Sequence, residues 1–278
     1  MAFFSSERLD DRKDGLKKIK ELKDKKSRTI VIHYSCESFF NIHGRTPRVT
    51  SIAVRNRDNL TTTIFSIHLS AQFKKKNPNN LTDQEFDLVE KDMLKDFFEY
   101  LKKHQSYCWV HWNMRNANFG FEAINNRYKI LDGNPKIIED QFRYDLPEIL
   151  GLIHTYDFEK HDKPNQGQLL NLAKRNKINS RDALKGADEA IAFDNRDFLK
   201  LHMSTIRKVE IIDRILTLQD KKKLKVNALL IKSCGLTPAG IIEIVRNNWI
   251  LFSFWSLIMA IIGMAMEPIV QNFFGTNK

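Results

Sequence analysis

The sequence predicts an α/β domain, an antiparallel strand meander extended by an α-crossover strand and covered by further helices, followed by a single membrane-spanning helix. Three observations carry this. Three β-rich runs follow one another between Arg28 and Gln72. A helix with apolar residues at 3–4 spacing then separates them from a fourth short apolar run. Last, the chain from Trp249 to Met266 reads WILFSFWSLIMAIIGMAM, eighteen residues without a charge.

The elements follow in order. Residues 5–27 (SSERLDDRKDGLKKIKELKDKKS) are helix-prone, charged and basic, as expected of a solvated helix or arm; lysines on one face could alternatively meet a membrane surface or phosphates. The β-rich runs are RTIVIHYSCESFF from Arg28, RVTSIAVRNRD and TTTIFSIHLSAQ, the last two joined through Arg57-Asp58-Asn59-Leu60 as in a hairpin. A polar loop leads to Thr82 as N-cap of a helix in which Phe86, Val89, Met93, Phe97 and Leu101 share one face. SYCWVHW is a fourth strand, and NFGFEAINNRYKIL reads as a helix closed by Asp132-Gly133. Asp145-Leu146-Pro147 opens another helix, with proline in its first turn. Helical stretches follow at 167–177, 180–193 and 195–219, then the cluster Lys221, Lys222, Lys223 and Lys225. Thr237-Pro238 begins a helix in the amphipathic stretch after it.

The Trp249–Met266 run is just long enough to cross a hydrocarbon core of about 30 Å at about 1.5 Å per residue. It is apolar all round, where a globular helix would carry a polar stripe. Trp249 and Trp255 fall where interfacial aromatics are favoured, and Glu267-Pro268 is expected to stop the run. The chain thus divides into a basic helix or arm (1–27), the α/β domain (28–220), a basic amphipathic connector (221–248), the anchor (249–266) and a tail (267–278). No apolar stretch of signal-peptide type opens the chain, so the main domain is expected in the cytoplasm.

Composition narrows the function classes. With 278 residues, 28% charged and 42% hydrophobic, the chain is neither collagenous, nor a disordered tail, nor a polytopic membrane protein. A net charge of +11 points to an anionic partner such as nucleic acid, a nucleotide or a lipid surface. Three cysteines without a CxxC pair exclude a disulfide framework and a thiolate zinc site. The histidines show no HExxH spacing, and neither a GxxxxGK[ST] nor a GxGxxG loop is present.

The first strand is the most informative. His33, Ser35 and Glu37 alternate onto one face, opposite Ile30, Ile32, Tyr34 and Cys36. Three polar residues toward the strand's C-terminal half suggest a site; a half-exposed strand with a polar solvent face is the plainer explanation. After the fourth strand, HWNMRNAN gathers His111, Trp112, Asn113, Arg115, Asn116 and Asn118. Arginine and asparagine donate to phosphates and base edges, and tryptophan offers a stacking face. Alternatively, the asparagines simply cap the next helix, and Glu122 pairs with Arg115.

This element order and first strand resemble the RNase H-like fold of DnaQ-type (DEDD) 3′–5′ exonucleases, over roughly residues 28–195. The resemblance implies an RNase H-like mixed sheet and a first strand ending in Asp-x-Glu, here Ser35-Cys36-Glu37. The family's second motif, His-Asn-x-x-Phe-Asp, corresponds to Asn116-Ala117-Asn118-Phe119-Gly120, with glycine for aspartate. A helix start of Asp-Thr-Leu type is matched by Asp145-Leu146. The last motif, His-x-Ala-x-x-Asp-Ala, corresponds to Arg181-Asp182-Ala183-Leu184-Lys185-Gly186-Ala187-Asp188, with glycine in the metal ligand's place and arginine in the histidine's.

Two-metal cleavage needs several carboxylates around two cations about 4 Å apart, and of the four acids the resemblance implies only Glu37 remains. The leading expectation is a membrane-anchored, catalytically degenerate exonuclease-like domain that binds nucleic acid, a nucleotide or a protein partner through His33, Ser35, Glu37, His111, Asn113, Arg115 and Asn118. The alternative is an active nuclease using Mg²⁺ or Mn²⁺ at a rearranged site of Glu37, Asp145 and Asp182 or Asp188. A third class is a membrane effector whose soluble domain controls homo-oligomerisation of the anchor.

Overall fold

A computed structural model describes residues 7–38, 46–115, 118–161, 167–235 and 237–274. Asn116 and Ala117 lie outside the described residues. The chain begins with helix α1 (Glu7–Asp24), then strands β1 (Thr29–Cys36), β2 (Val49–Asn56) and β3 (Thr62–Ser66). Helices α2 (Ile67–Phe73) and α3 (Asp83–Lys103) lead to β4 (Cys108–His111), α4 (Phe121–Ile130) and β5 (Arg143–Asp145). Then come α5 (Leu146–His154), α6 (Gly167–Arg175), α7 (Gly186–Asp194) and α8 (Phe198–Asp220). Helices α9 (Leu230–Cys234), α10 (Pro238–Asn247) and α11 (Trp249–Phe274) complete the described chain.

The five strands form one mixed sheet in the order β3-β2-β1-β4-β5. β1 pairs antiparallel with β2, and β2 antiparallel with β3, so the first three strands are the expected meander. β4 returns parallel to β1 after the α3 crossover, and β5 lies parallel to β4. β5 is absent from the sequence reading because three residues are too few to show a period of two.

Helices cover both faces, so β1 is buried from Thr29 to Ser35, with Cys36 half-buried at its end. Ile30, Ile32 and Tyr34 pack toward Phe86, Val89, Met93 and Phe97 of α3 and Ile124 of α4. Val31 faces the other way, into a core with Ile19 and Leu22 of α1, Leu150 of α5 and Val209 and Ile212 of α8. His33 and Ser35 share the Val31 face and are 6% and 2% exposed. The half-exposed strand with a solvated polar face is therefore corrected: this polar stripe is roofed by α8, where Ser51 of β2 also hydrogen-bonds Thr205 at 2.7 Å.

Local chemistry fixes the boundaries. Thr82 and Glu85 form a reciprocal capping box that starts α3. The third run does not continue as a strand to Gln72, because the Ser66 hydroxyl accepts Leu69 N–H and turns the chain into α2. The helix expected over 180–193 is confined to α7. Thr237 caps α10 through Gly240 N–H, with Pro238 at the first helical position.

Helix α1 is packed into the domain rather than a free arm. Leu9, Ile19 and Leu22 are buried, and Arg12, also buried, donates to Ile153 O at 2.8 Å at the C-terminal end of α5. A Cβ on Gly15 would lie 2.7 Å from Ile153 Cγ1, so only glycine permits this close approach of α1 to α5. At the other end of the chain, α11 is long and apolar enough to cross a membrane from Trp249 to Pro268 and is exposed along that length. Glu267-Pro268 ends the apolar run but not the helix, which continues to Phe274, since one proline removes a single backbone hydrogen bond.

Candidate functional site

The C-terminal ends of β1, β4 and β5 lie along one edge of the sheet, with β1 flanked by antiparallel β2 and parallel β4. The strand order reverses between β1 and β4, and the crevice at the carboxyl ends of the strands at such a point is where open α/β sheets take ligands. Two cavities open here, and residues that follow β4 line both, Met114 and Arg115 in one and Phe119 in the other.

The first, of about 620 Å³, is lined by His33 and Ser35 of β1 and Glu37 just after it, from α7 by Glu189 and from α8 by Lys208. Lys208 Nζ meets Glu189 Oε1 at 2.7 Å, with both side chains mostly withdrawn from solvent. Glu189 also accepts from Ser204 Oγ at 2.9 Å. Burial, reinforced by the nearby Lys208 charge, holds the His33 imidazole well below its ordinary pKa, so the ring is neutral. His33 Nδ1 and Ser35 Oγ are both buried without a hydrogen-bond partner among the described residues. Phe119 closes one side, stacked on Tyr34 with ring centroids 4.6 Å apart. The Tyr34 hydroxyl accepts Gly120 N–H at 2.9 Å, which holds Phe119 and Gly120 beside the cavity. Burial, with Glu189 and Glu37 adding to it, raises the Cys36 thiol pKa far above neutrality.

The second cavity, of about 460 Å³, lies at the ends of β4 and β5 and includes His111, Arg115, Arg143, Asp145 and Glu148. The parallel register sets His111 opposite Asp145. His111 Nδ1 lies 3.7 Å from Asp145 Oδ1, but the two are not an ion pair. His111 Nδ1 accepts Met114 N–H at 3.2 Å, and burial, then Arg115 and Arg143, lower its pKa to about 3. The charge partner of Asp145 is Arg115, whose Nε is 2.5 Å from Oδ2; burial nonetheless raises the Asp145 pKa. Asp145 Oδ1 also accepts Asn113 N–H at 3.0 Å, across a residue held at φ 55, a conformation that asparagine tolerates. Arg115 reaches Glu148 as well, at 2.9 Å. Glu122 pairs with Arg143 instead of Arg115, at 3.4 Å.

The residues singled out in the sequence thus fall into two groups. His33, Ser35 and Glu37 share the β1 cavity. His111, Arg115 and Asp145 line the neighbouring one, with Asn113 acting through its backbone and Asn118 in the segment between. Asp188 lies apart, on a third cavity with Lys174, Lys177 and Arg181, and Asp182 lies 3.4 Å from Arg207. The carboxylates required by a rearranged nuclease centre are therefore distributed over separate places. Among the described residues no three His, Cys, Asp or Glu side chains converge as a metal site. A hard cation such as Mg²⁺ or Mn²⁺ takes about six oxygen ligands, and this donor set does not fit one.

Sequence reasoning missed Lys208 and Glu189, whose helices are remote in the chain from β1, and the Tyr34–Phe119 stack. Phe119 was visible only as part of a motif position. The chain matches no protein-family model, no curated protein and no solved structure.

Proposed function

We propose that the chain is a membrane-anchored binding protein whose α/β domain is of the RNase H-like, DnaQ-exonuclease type, and that the β1 cavity takes a nucleic-acid end or nucleotide without cleaving it. The observation that carries this is the largely withdrawn Lys208–Glu189 pair beside the unpartnered His33 Nδ1 and Ser35 Oγ. In a two-metal nuclease that position needs carboxylates gathered around cations. Here a lysine already neutralises the α7 carboxylate, and two buried polar atoms remain for a ligand to satisfy. Buried groups of this kind ordinarily have partners.

The ligand class follows from the walls. Phe119 and Tyr34 bring aromatic rings to the cavity wall, the kind of side chain that bases stack against. Neutral His33 and the Ser35 hydroxyl can each donate or accept one hydrogen bond. Arg115, in the segment after β4 and more than half exposed, is suited to an adjoining phosphate. The strand order supports the fold assignment, since the meander and the α-crossover strand are those the resemblance implies. With α11 in the bilayer, the domain sits at the cytoplasmic face, where the anchor localises the binding event.

The test uses the full chain in lipid nanodiscs with end-labelled DNA and RNA 12-mers and nucleoside monophosphates. Ser35→Ala removes an unmatched buried hydroxyl, so it should leave stability equal or slightly higher while weakening binding about tenfold, the worth of roughly one hydrogen bond. Wild-type protein that binds none of these probes, or a variant with unchanged affinity, would refute the proposal.

A further inference from the structure

The opposite edge of the sheet carries a separate cavity. β1 has eight residues, so its two ends lie about 26 Å apart at roughly 3.3 Å per residue. At its N-terminal end, the β2–β3 hairpin, the end of α1 and the last turns of α8 enclose about 780 Å³. Arg57, which begins the hairpin turn, donates its backbone N–H to Thr29 O at the start of β1 and fixes this placement.

Seven Lys and Arg side chains line the cavity against three carboxylates, a surplus of four positive charges. All three carboxylates are committed. Asp213 receives Arg55 Nε and Arg57 Nε, each at 3.1 Å; Asp220 receives Arg57 Nη2 at 2.8 Å; Glu210 receives Arg207 Nη1 at 2.6 Å. Lys23, Lys26, Arg214 and Lys221 have no carboxylate within 4.0 Å among the described residues. Arg57 is 2% exposed, and its Nη1 is buried with no hydrogen-bond partner among them. An unmatched buried guanidinium donor and four uncompensated cations around one space both call for an anion.

We infer that this cavity is a binding site for the polyphosphate group of a nucleotide-sized ligand. Its volume is that of a small-molecule site. Guanidinium groups match phosphate oxygens in pairs, and lysines add point charges. A terminal phosphate carries about two negative charges at neutral pH, so a triphosphate chain, with about four, matches the surplus while a single phosphate leaves half of it unmet. Leu60, exposed and held at φ 60 in the hairpin turn, and Ile178 supply an apolar wall for the rest of the ligand. The site is independent of the β1 cavity in both position and chemistry.

The experiment is calorimetry on the full chain in nanodiscs, with inorganic phosphate, tripolyphosphate, ATP and a single-stranded oligonucleotide as probes. Tripolyphosphate and ATP should bind, both more tightly than phosphate. Lys26→Glu and Arg214→Glu, at exposed positions, should each weaken that binding at least tenfold with an unchanged melting temperature in the absence of ligand. Lys129→Glu, the same charge change on α4, and Ser35→Ala should leave tripolyphosphate binding unaltered. If a charge reversal lowers the melting temperature, Lys26→Ala replaces it, with the same expectation in direction. Failure of tripolyphosphate and ATP to bind, equal weakening by Lys129→Glu, or binding of the oligonucleotide alone would each overturn the inference.

Discussion

Lys208 Nζ lies 2.7 Å from Glu189 Oε1, joining α8 to α7 over the C-terminal half of β1, with the two side chains only 9% and 14% exposed. A pair this withdrawn gives little net stability, because desolvation offsets much of the attraction, yet removing one partner strands a buried charge. Lys208→Met should therefore lower unfolding free energy by about 3 kcal/mol. Adding Glu189→Gln should restore most of it. Denaturant unfolding of the two variants measures the difference, and a fully additive result would show that the charges do not interact.

Asp145 and Arg115 should differ sharply in their importance to the fold. Asp145 is buried and accepts Asn113 N–H, so Asp145→Ala removes a hydrogen bond to a charged acceptor at a cost of about 1–3 kcal/mol. Arg115 is 58% exposed, and exposed ion pairs contribute from about 0 to 1 kcal/mol. Arg115→Ala should accordingly fold almost normally and lose affinity for phosphate-bearing ligands. Paired melting and binding curves distinguish the two effects.

Acid should weaken the domain through its neutral histidines. His111 has a pKa lowered from 6.5 to about 3, and that of His33 is also well below 6.5. Below about pH 6.5 the unfolded chain binds protons that the folded chain does not, so stability is full above that pH and falls on acidification toward about pH 3. His154 and His202 shift in the same sense. Asp145, raised by burial, acts oppositely, since the folded state takes up its proton first. His111→Asn keeps an acceptor for Met114 N–H but not the titration. Its acid limb should be shallower by up to about 1.4 kcal/mol per pH unit, read from stability measured between pH 4 and 7.

The anchor gives a partition prediction. Full-length protein should remain with membranes after alkaline extraction, and a chain ending at Asn248 should leave them. Release of the full chain by alkali would show that α11 lies on the membrane or on a partner protein.

Much of the fold was legible because its signals are local. Phe86, Val89, Met93, Phe97 and Leu101 face the core as their spacing requires, and Thr82 with Glu85 caps their helix. The alternation of His33, Ser35 and Glu37 marked the cavity at β1. Its roof was not legible, because Lys208 and Glu189 read as ordinary helix-surface charges until the sheet brings α7 and α8 over β1. Helix α1 misled for a related reason: its many lysines suggest solvent, whereas its docking depends on Leu9, Ile19, Leu22 and the absent side chain of Gly15. Arg57 likewise reads as a turn residue beside Asp58, and only the contacts with Asp213 and Asp220 of α8 show that it is buried.

The most direct measurement is a combined binding and cleavage assay of the full chain in nanodiscs, using end-labelled single- and double-stranded DNA and RNA with Mg²⁺, Mn²⁺ or EDTA, and with Glu37→Ala and Phe119→Ala alongside. The expected result is binding that persists in EDTA, weakens in Phe119→Ala and leaves every strand uncut. Metal-dependent cleavage that disappears in Glu37→Ala would contradict the account and make this chain a nuclease.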